Sequence, residues 1–311
     1  MSQQVTEAFV KQFNSNVFHL SQQKGSRLRR AVRNESQRGE SQFFDRIGAS
    51  AAIKKTTRHS DTPQIDTPHS RRRVTLTDYE WGDLIDDADK IRMLIDPESD
   101  YAMSAMYALG RSMDDEIIEK ALADASGGQD GGTPVALGND NKLAAVDGAA
   151  VSNLNVFTLR KIKKKMDENE VDESIKRYMC VAASQLESLL GETAVTSADF
   201  NTVKALVHGD VDQFMGFEFI RLERHEFLGT AITTVDPVTG AVTGGGATVA
   251  VGARRCFAWA QDGLLLSLAK DMRSRISERP DKSYSTQVYA CMGIGSTRME
   301  EKKVVEVLCT E

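Results

Sequence analysis

Cysteine and histidine are the residue types best suited to metal binding or nucleophilic catalysis, and their spacing here supports neither. The four cysteines lie far apart in the chain, at Cys180, Cys256, Cys291 and Cys309. Zinc sites need close pairs such as C-x-x-C. The five histidines form no i, i+4 pair and no H-E-x-x-H motif. We therefore predict buried, reduced thiols and solvated histidines, and no metal site.

The glycine-rich segments also lack the sequence of a nucleotide-binding loop. Residues 127–133 and 244–246 have no Gly-Lys-Ser/Thr ending, and Gly293-Ile-Gly295 lacks the third glycine of a dinucleotide fingerprint. No G-x-S-x-G nucleophile elbow occurs, and the carboxylates form no recognisable acid and base pair. The sequence therefore predicts no catalytic residue, no cofactor and no enzymatic activity.

Length and composition describe an ordinary globular protein. The chain has 311 residues, of which 41% are hydrophobic and 27% charged, so one large domain or two are expected. No apolar run approaches the ~18 residues that span a bilayer, and the N-terminus lacks the features of a signal peptide. We predict a cytosolic product with no membrane partner.

Charge is distributed unevenly along the chain. Residues 1–73 hold 14 Lys and Arg against 6 Asp and Glu, a balance of +8, so residues 74–311 carry −14 of the total of −6. Such a basic leader is suited to nucleic acid, but aromatic residues are nearly absent between its charges. The overall negative charge also argues against nucleic acid as the main ligand.

A basic leader joined to an acidic body instead suggests that the leader of one molecule lies on the body of another. The acidic side chains that directly follow the leader are the natural counter-surface. The candidate inter-subunit contacts are Arg27, Arg29, Arg30, Lys54, Lys55, Arg58, Arg71, Arg72, Arg73, Asp83, Asp86, Asp87 and Asp89.

Periodicity predicts two helices in the first part of the chain. Val5, Phe9, Phe13 and Val17 recur every four residues and predict a helix over residues 4–20. Asp96 followed by Pro97 is a typical helix start. Apolar residues then continue at helical spacing to residue 125, at Met103, Met106, Leu109, Met113, Ile117 and Ala121. Residues 79–90 are predicted to form a short helix or turn, with Trp81, Leu84 and Ile85 facing inward.

The rest of the body mixes helices and strands without regular alternation, which indicates an α+β fold. Helices are predicted over residues 156–168, 185–190, 198–207 and, with Asp262 as N-cap, from 262 to just before Pro280. Strands are predicted over residues 177–183, 214–221, 256–260, 285–292 and 302–309, and residues 239–247 form a hairpin tip. The last two strands are joined through Gly293-Ile-Gly295.

Short motifs in the final hundred residues add a resemblance to a known family. They are Phe214-Met-Gly-Phe-Glu-Phe-Ile-Arg, Cys256-Phe-Ala-Trp259-Ala with Gly263-Leu, Arg279-Pro-Asp, Gly293-Ile-Gly295 and Val304-Val-Glu-Val-Leu. Together with the order of the upstream segments, they resemble the major capsid proteins of tailed bacteriophages of the Hong Kong 97 type.

The resemblance implies the domain organisation of that fold. Residues 1–39 would form an N-terminal arm and residues 40–75 an extended β-hairpin loop. Residues 76–125 would form the peripheral domain with its spine helix at 97–125. Residues 126–280 would be mainly the axial domain, and residues 281–311 would return to the peripheral domain as strands.

The resemblance also implies a function. Copies of the chain would form pentamers and hexamers that close into an icosahedral head shell around phage double-stranded DNA, which they would meet through sequence-independent contacts. We expect assembly in the host cytoplasm, location in the virion capsid, and contacts with the portal and a decoration protein. Because the chain begins almost at the arm, we also expect a separate scaffolding protein.

Three alternatives remain open at this point. A cellular nanocompartment shell of the encapsulin kind would share the architecture but package an enzyme. An uncharacterised α+β enzyme would remain a small oligomer with a concave pocket. A nucleic-acid-binding module using the basic leader would bind DNA tightly, with a strong dependence on salt.

Overall fold

The structure of the protein is a computed structural model, and it describes residues 20–59, 61–86, 98–147, 150–192, 213–223 and 253–310. The predicted helix over 198–207, the hairpin tip at 239–247 and the Asp96 cap lie outside the described residues. The predicted helix over 4–20 also lies outside them, apart from Leu20.

Three α-helices occur in the described residues: α1 (Glu98–Leu122), α2 (Val156–Glu168) and α3 (Ala183–Gly191). The strands in the first half are β1 (Arg33–Ser36), β2 (Ser41–Ile47), β3 (His69–Thr75), β4 (Thr77–Ile85), β5 (Ala125–Gly127), β6 (Thr133–Val135), β7 (Lys142–Ala144), β8 (Val146–Asp147) and β9 (Ala150–Val151). Those in the second half are β10 (Arg177–Val181), β11 (Gln213–Phe214), β12 (Phe217–Arg221), β13 (Ala253–Ala260), β14 (Leu264–Arg279), β15 (Ser285–Arg298) and β16 (Val304–Thr310).

The chain divides into two compact units. The smaller unit comprises residues 1–26, 77–113 and 270–294, and the larger comprises residues 27–76, 114–269 and 295–311. Helix α1 and the long strands β14 and β15 each contribute residues to both units.

A six-stranded sheet organises the larger unit, in the order β11-β12-β10-β13-β16-β7. Its apolar core includes strand residues such as Met179, Ala258 and Val305, together with Leu159 from α2 and Leu189 from α3. The other face of β10 and β13 carries aromatic side chains. Tyr178 and Trp259 are paired in register there, and their rings stack with centroids 5.8 Å apart. The Trp259 indole N–H donates to the Ala31 carbonyl over 2.9 Å, which ties the leader to the sheet.

Helix α2 has the bounds that its sequence predicts. The Asn155 side chain caps its N-terminus by accepting from the Thr158 backbone N–H at 2.8 Å. Leu159, Ile162 and Met166 recur at three and four residues, so they share one face, and all three are buried. The amphipathic period and the cap therefore determine this helix locally.

Residues 41–75 contain an antiparallel hairpin. Strands β2 and β3 pair from Ser41 opposite Thr75 to Ile47 opposite His69. The hairpin belongs to a four-stranded sheet in the order β2-β3-β5-β6, within the larger unit. The pairing has the form expected of an extended β-hairpin loop, whereas the domain boundaries drawn from the sequence remain predictions.

In the smaller unit, α1 passes very close to the chain near Gly25. A side chain at Gly110 would place its Cβ 2.6 Å from the Gly25 backbone, so glycine is required for this contact. The next residue of the helix is Arg111, whose guanidinium donates to the Gln22 side chain over 2.7 Å. The helix predicted over residues 97–125 is thus present over Glu98–Leu122, although its Met103 side chain is exposed.

The predicted helix from Asp262 to Pro280 is wrong. Residues 264–279 form the long strand β14, whose first part pairs in parallel with β1, from Leu265 opposite Arg33 to Leu268 opposite Ser36. Leu265, Leu268, Met272 and Ile276 fit a helical period, but Leu264, Leu265 and Leu266 are all fully buried. Consecutive burial of this kind is typical of a strand covered on both faces.

Two further predictions are corrected. Residues 77–85 form strand β4 rather than a helix or turn, and β4 pairs with β15 from Thr77 opposite Ile294 to Ile85 opposite Thr286. Ile85 is buried as expected, but Trp81 is half-buried and Leu84 is exposed. The Gly293-Ile-Gly295 segment lies inside β15 instead of joining two strands.

Candidate assembly interface

The connection between β2 and β3 is highly exposed. All the described residues of this connection, 48–59 and 61–68, are exposed except Thr67, which is half-buried. The predicted contacts Lys54, Lys55 and Arg58 all lie here. Two apolar side chains are also open to solvent, since Ile53 is 62% and Ile65 43% exposed. This segment, the hairpin loop, therefore presents both cations and apolar surface.

The three predicted arginines on β3 have different environments. Arg71 lies on the outer face, 3.1 Å from the Asp45 carboxylate and 5.6 Å from the centre of the Phe43 ring. Arg72 is only 3% exposed and points into its own subunit, contrary to its expected place at the surface. Arg73 is half-buried and donates to the Asp130 carbonyl over 3.4 Å.

Arg72 belongs to a charged cluster at the base of the hairpin. Its guanidinium donates to the Glu301 carboxylate over 2.5 Å. Arg46 of β2 lies 3.7 Å from the other oxygen of Glu301 and donates to the Met299 carbonyl. Gly127 makes room for this arrangement, because a Cβ there would lie 2.6 Å from Arg72 Nη1. Both hairpin strands are thus tied to one carboxylate.

Arg298 completes the cluster, which we call the Glu301 cluster: Arg46, Arg72, Arg298 and Glu301. Arg298 is fully buried and donates to the carbonyls of Ala121, Ala123 and Val135 over 2.8–2.9 Å. It therefore satisfies carbonyls at the C-terminal end of α1, where a cation is favoured. Burial lowers the pKa of Arg298 and of Arg46 below the usual value, and the nearby charge of Arg72 lowers both further.

Several polar groups of the leader form hydrogen bonds or ion pairs within their own subunit. The backbone N–H groups of Arg27 and Leu28 donate to Asp114 over 2.9 and 3.1 Å, and Arg27 Nη1 donates to the Arg221 carbonyl over 2.6 Å. Arg29 is half-buried in a 3₁₀ turn, Arg29–Ala31. Arg30 is exposed and lies 3.2 Å from Glu218. These contacts anchor the leader on the larger unit.

The predicted acidic partners lie in the smaller unit. Asp83 and Asp86 are exposed, and one Asp83 carboxylate oxygen accepts from the Leu84 backbone N–H over 2.8 Å. Asp87 and Asp89 lie outside the described residues. The role of all these side chains in contacts between subunits therefore remains a prediction.

The cysteines are reduced and buried, as their spacing suggests. Burial raises the pKa of the Cys180 thiol, and a hydrogen bond with Cys256, together with burial, raises that of Cys309. Cys291 differs, because a hydrogen bond from Lys270 lowers the pKa of its thiol. Within the described ranges, no group of His, Cys, Asp and Glu side chains could hold a metal ion. No helix among the described residues is long and apolar enough to cross a membrane.

Sequence reasoning missed Glu301, which pairs with Arg46 and Arg72 at the hairpin base, and Arg298, which lies beside it. Arg72 and Glu301 are separated by 229 positions, so no local spacing connects them. The one available signal was the Glu300-Glu301-Lys302-Lys303 run between two strands, which resembles any solvated turn.

Comparison with solved structures places this architecture among phage capsids. The chain is similar to the capsid of cyanophage P-SCSP1u, with 15% identity and a TM-score of 0.72 over 99% of this chain and 94% of that chain. It is also similar to the capsid of cyanophage Pam1, at 15% identity and a TM-score of 0.67 over 97% of each chain. For the protein of Mycobacterium phage Che8 the identity is 15% and the TM-score 0.63, over 96% of this chain and 97% of that chain.

The α+β class and the resemblance to Hong Kong 97-type capsid proteins are thereby confirmed. No curated protein matches the chain. The phage capsid protein family matches residues 5–311, which is nearly the whole chain, and this match supports the capsid over the nanocompartment alternative. The chain belongs to the phage capsid protein family and is a major capsid protein that forms the shell of a phage head.

Proposed function

We propose that copies of this chain form hexamers and pentamers that close into an icosahedral shell around double-stranded phage DNA. In this arrangement the hairpin loop lies against a neighbouring subunit. The exposed apolar side chains of the loop carry the proposal, because packing Ile53 and Ile65 against a neighbouring subunit would remove their apolar area from water.

Two features support a contact role for the hairpin. The Glu301 cluster fixes the base of β2 and β3. The hairpin loop therefore loses less conformational entropy on binding a neighbour than a free tail would lose. The loop cations Lys54, Lys55 and Arg58 favour an acidic neighbour. Exposed acidic side chains such as Asp83 and Asp86 are suitable partners.

The same proposal covers the remaining partners and the location. A structural role in a shell implies no enzymatic activity. It also implies a place in the virion capsid after assembly in the host cytoplasm. A scaffolding protein, a portal and a decoration protein are the partners proposed for this shell.

The test is shell formation by a loop variant, observed by electron microscopy of protein co-expressed with its phage scaffold. Ile53→Asp with Ile65→Asp should abolish shells while the chain remains folded and soluble, because both side chains are exposed in the single subunit. Thr56→Asp with Thr62→Asp is the matched control. It adds the same charge to the same loop, removes no apolar side chain, and should still form shells.

Normal shells from the isoleucine variant would overturn the role of the loop. Wild-type protein that stays in particles of one or two chains, with the scaffold present, would overturn the shell itself.

A further inference from the structure

Helix α2 carries a run of basic residues that is separate from the basic residues of the hairpin. Five of the six residues from 160 to 165 are basic, and only Ile162 interrupts them. Arg160, Lys163 and Lys164 are exposed, whereas Lys161 and Lys165 are half-buried beside the apolar face. We call these five residues the α2 basic face: Arg160, Lys161, Lys163, Lys164 and Lys165.

Few carboxylates balance this charge. Lys164 lies 3.4 Å from Glu168, and the neighbouring Asp167 pairs with Arg177 at 2.7 Å. Among the described residues, Arg160, Lys163 and Lys165 have no carboxylate within ion-pair distance. The helix therefore presents an excess of positive charge in a chain whose net charge is −6.

This arrangement disfavours the helix on its own. Arg160 lies four residues before Lys164, and like charges at that spacing destabilise a helix. The helix dipole favours cations only in the last turn, which here contains Lys165. A bound polyanion would offset the repulsion among the remaining cations.

The surroundings favour a duplex backbone as the polyanion. The Lys161 ammonium lies 4.2 Å from the centre of the exposed Phe157 ring, so this aromatic face is covered and not available for stacking on bases. Single-stranded DNA binding relies on such stacking. Arg160 and Lys164 are separated by about 6 Å along the helix axis, a distance that covers about two phosphates of one duplex strand.

We infer that the α2 basic face binds the phosphate backbone of double-stranded DNA through sequence-independent contacts. This inference rests on the proposed function, in which the shell encloses DNA. It assigns the contact to a helix of the body rather than to the basic leader.

The test compares two variants of the full chain that each lose three positive charges. One is Arg160→Gln, Lys163→Gln and Lys164→Gln on α2, and the other is Lys54→Gln, Lys55→Gln and Arg58→Gln in the hairpin loop. Binding of a random-sequence duplex is measured by fluorescence anisotropy between about 0.05 and 0.2 M salt. Each lost phosphate contact should reduce the slope of log K against log salt by ~0.9. We expect a reduction of about 2–3 for the α2 variant and little change for the loop variant.

An equal reduction in both variants, or none in the α2 variant, would overturn the inference. Polyglutamate serves as a second probe: an α2 variant that loses polyglutamate binding but keeps its DNA affinity would indicate an acidic protein partner instead. Electron microscopy of the same samples separates this result from the shell proposal, because shells can form whether or not the α2 basic face binds DNA.

A measurement on the wild-type protein keeps the test independent of how the variants fold. Lysine acetylation is mapped by mass spectrometry with and without duplex DNA. Protection of Lys163 and Lys164, with Lys54 and Lys55 still modified, is the expected result. Unchanged acetylation of Lys163 and Lys164 at saturating DNA would contradict it.

Discussion

The Arg72 guanidinium and the Glu301 carboxylate lie 2.5 Å apart at the base of the hairpin. Arg72 is on strand β3, and Glu301 begins the short turn that follows β15. Arg46 and Arg298 also lie within 4 Å of the same carboxylate, at 3.7 and 3.8 Å. One acidic side chain therefore lies close to three guanidinium groups and links both hairpin strands to the end of β15.

Replacing Glu301 with glutamine should lower the free energy of unfolding. The amide keeps the shape but removes the carboxylate charge that Arg46, Arg72 and Arg298 share. Breaking a fully buried pair costs about 3–5 kcal/mol. Because Glu301 is 23% exposed, we expect about 1–3 kcal/mol, measured by urea denaturation of unassembled protein. Glu300→Gln is the control, since its pair with Lys303 is more exposed and should contribute less than ~1 kcal/mol. Equal effects of the two changes would exclude a special role for Glu301.

Charge reversal should have different effects at Arg71 and at Arg72: the first on shell assembly, the second on the stability of the single chain. Arg71→Glu alters an exposed side chain, so the single chain should stay folded while shell assembly weakens. Arg72→Glu places a second carboxylate against Glu301 in a buried position and should destabilise the chain by about 3–5 kcal/mol. Circular dichroism during thermal unfolding, together with electron microscopy, measures both effects. A stable Arg72→Glu chain would show that the pair does not anchor the hairpin.

Alanine at Gly110 should destabilise the protein even though alanine is the better helix former. The new Cβ would lie 2.6 Å from the Gly25 backbone, which cannot rotate away as a side chain can. Overpacking of this kind costs about 1–3 kcal/mol. Gly191→Ala, at the end of α3, meets no atom within 4 Å and should be neutral or stabilising by up to ~1 kcal/mol. The thermal unfolding midpoint should therefore fall for Gly110→Ala and not for Gly191→Ala, and a more stable Gly110→Ala chain would be inconsistent with this packing.

Cys291 should react with iodoacetamide before the other three cysteines in unassembled protein. The hydrogen bond from Lys270 lowers the pKa of its thiol, so more reactive thiolate is present near pH 7 than at an ordinary cysteine. Burial raises the pKa of Cys180 and contributes to raising that of Cys309, so both should react slowly. Mass spectrometry of the labelled peptides gives the order.

Lysine substitutions test the cause of this reactivity. Lys270→Gln should raise the pKa of Cys291 and move its labelling profile to higher pH, whereas Lys282→Gln should leave the profile unchanged. Identical profiles for Lys270→Gln and wild type would show that Lys270 does not activate the thiol.

The sequence by itself determined the elements whose signals are local. The bounds predicted for helix α2 agree with the structure, where Asn155 caps the helix and its buried apolar residues recur at helical spacing. Strand β10 is buried at every position, as expected from the apolar run that follows Arg177. The resemblance to phage capsid proteins depended on such short motifs and on the order in which they occur.

Tertiary structure alone decided β14 and the Glu301 cluster. Residues 264–279 fit the helical period, but hydrogen bonding to β1 and consecutive burial make them a strand. Likewise, nothing near Arg72 or Arg298 in the sequence indicates that they meet Glu301. The physical reason is the same in both cases: strand pairing and buried ion pairs join residues far apart in the chain. Their free energy arises only when the fold brings those residues together.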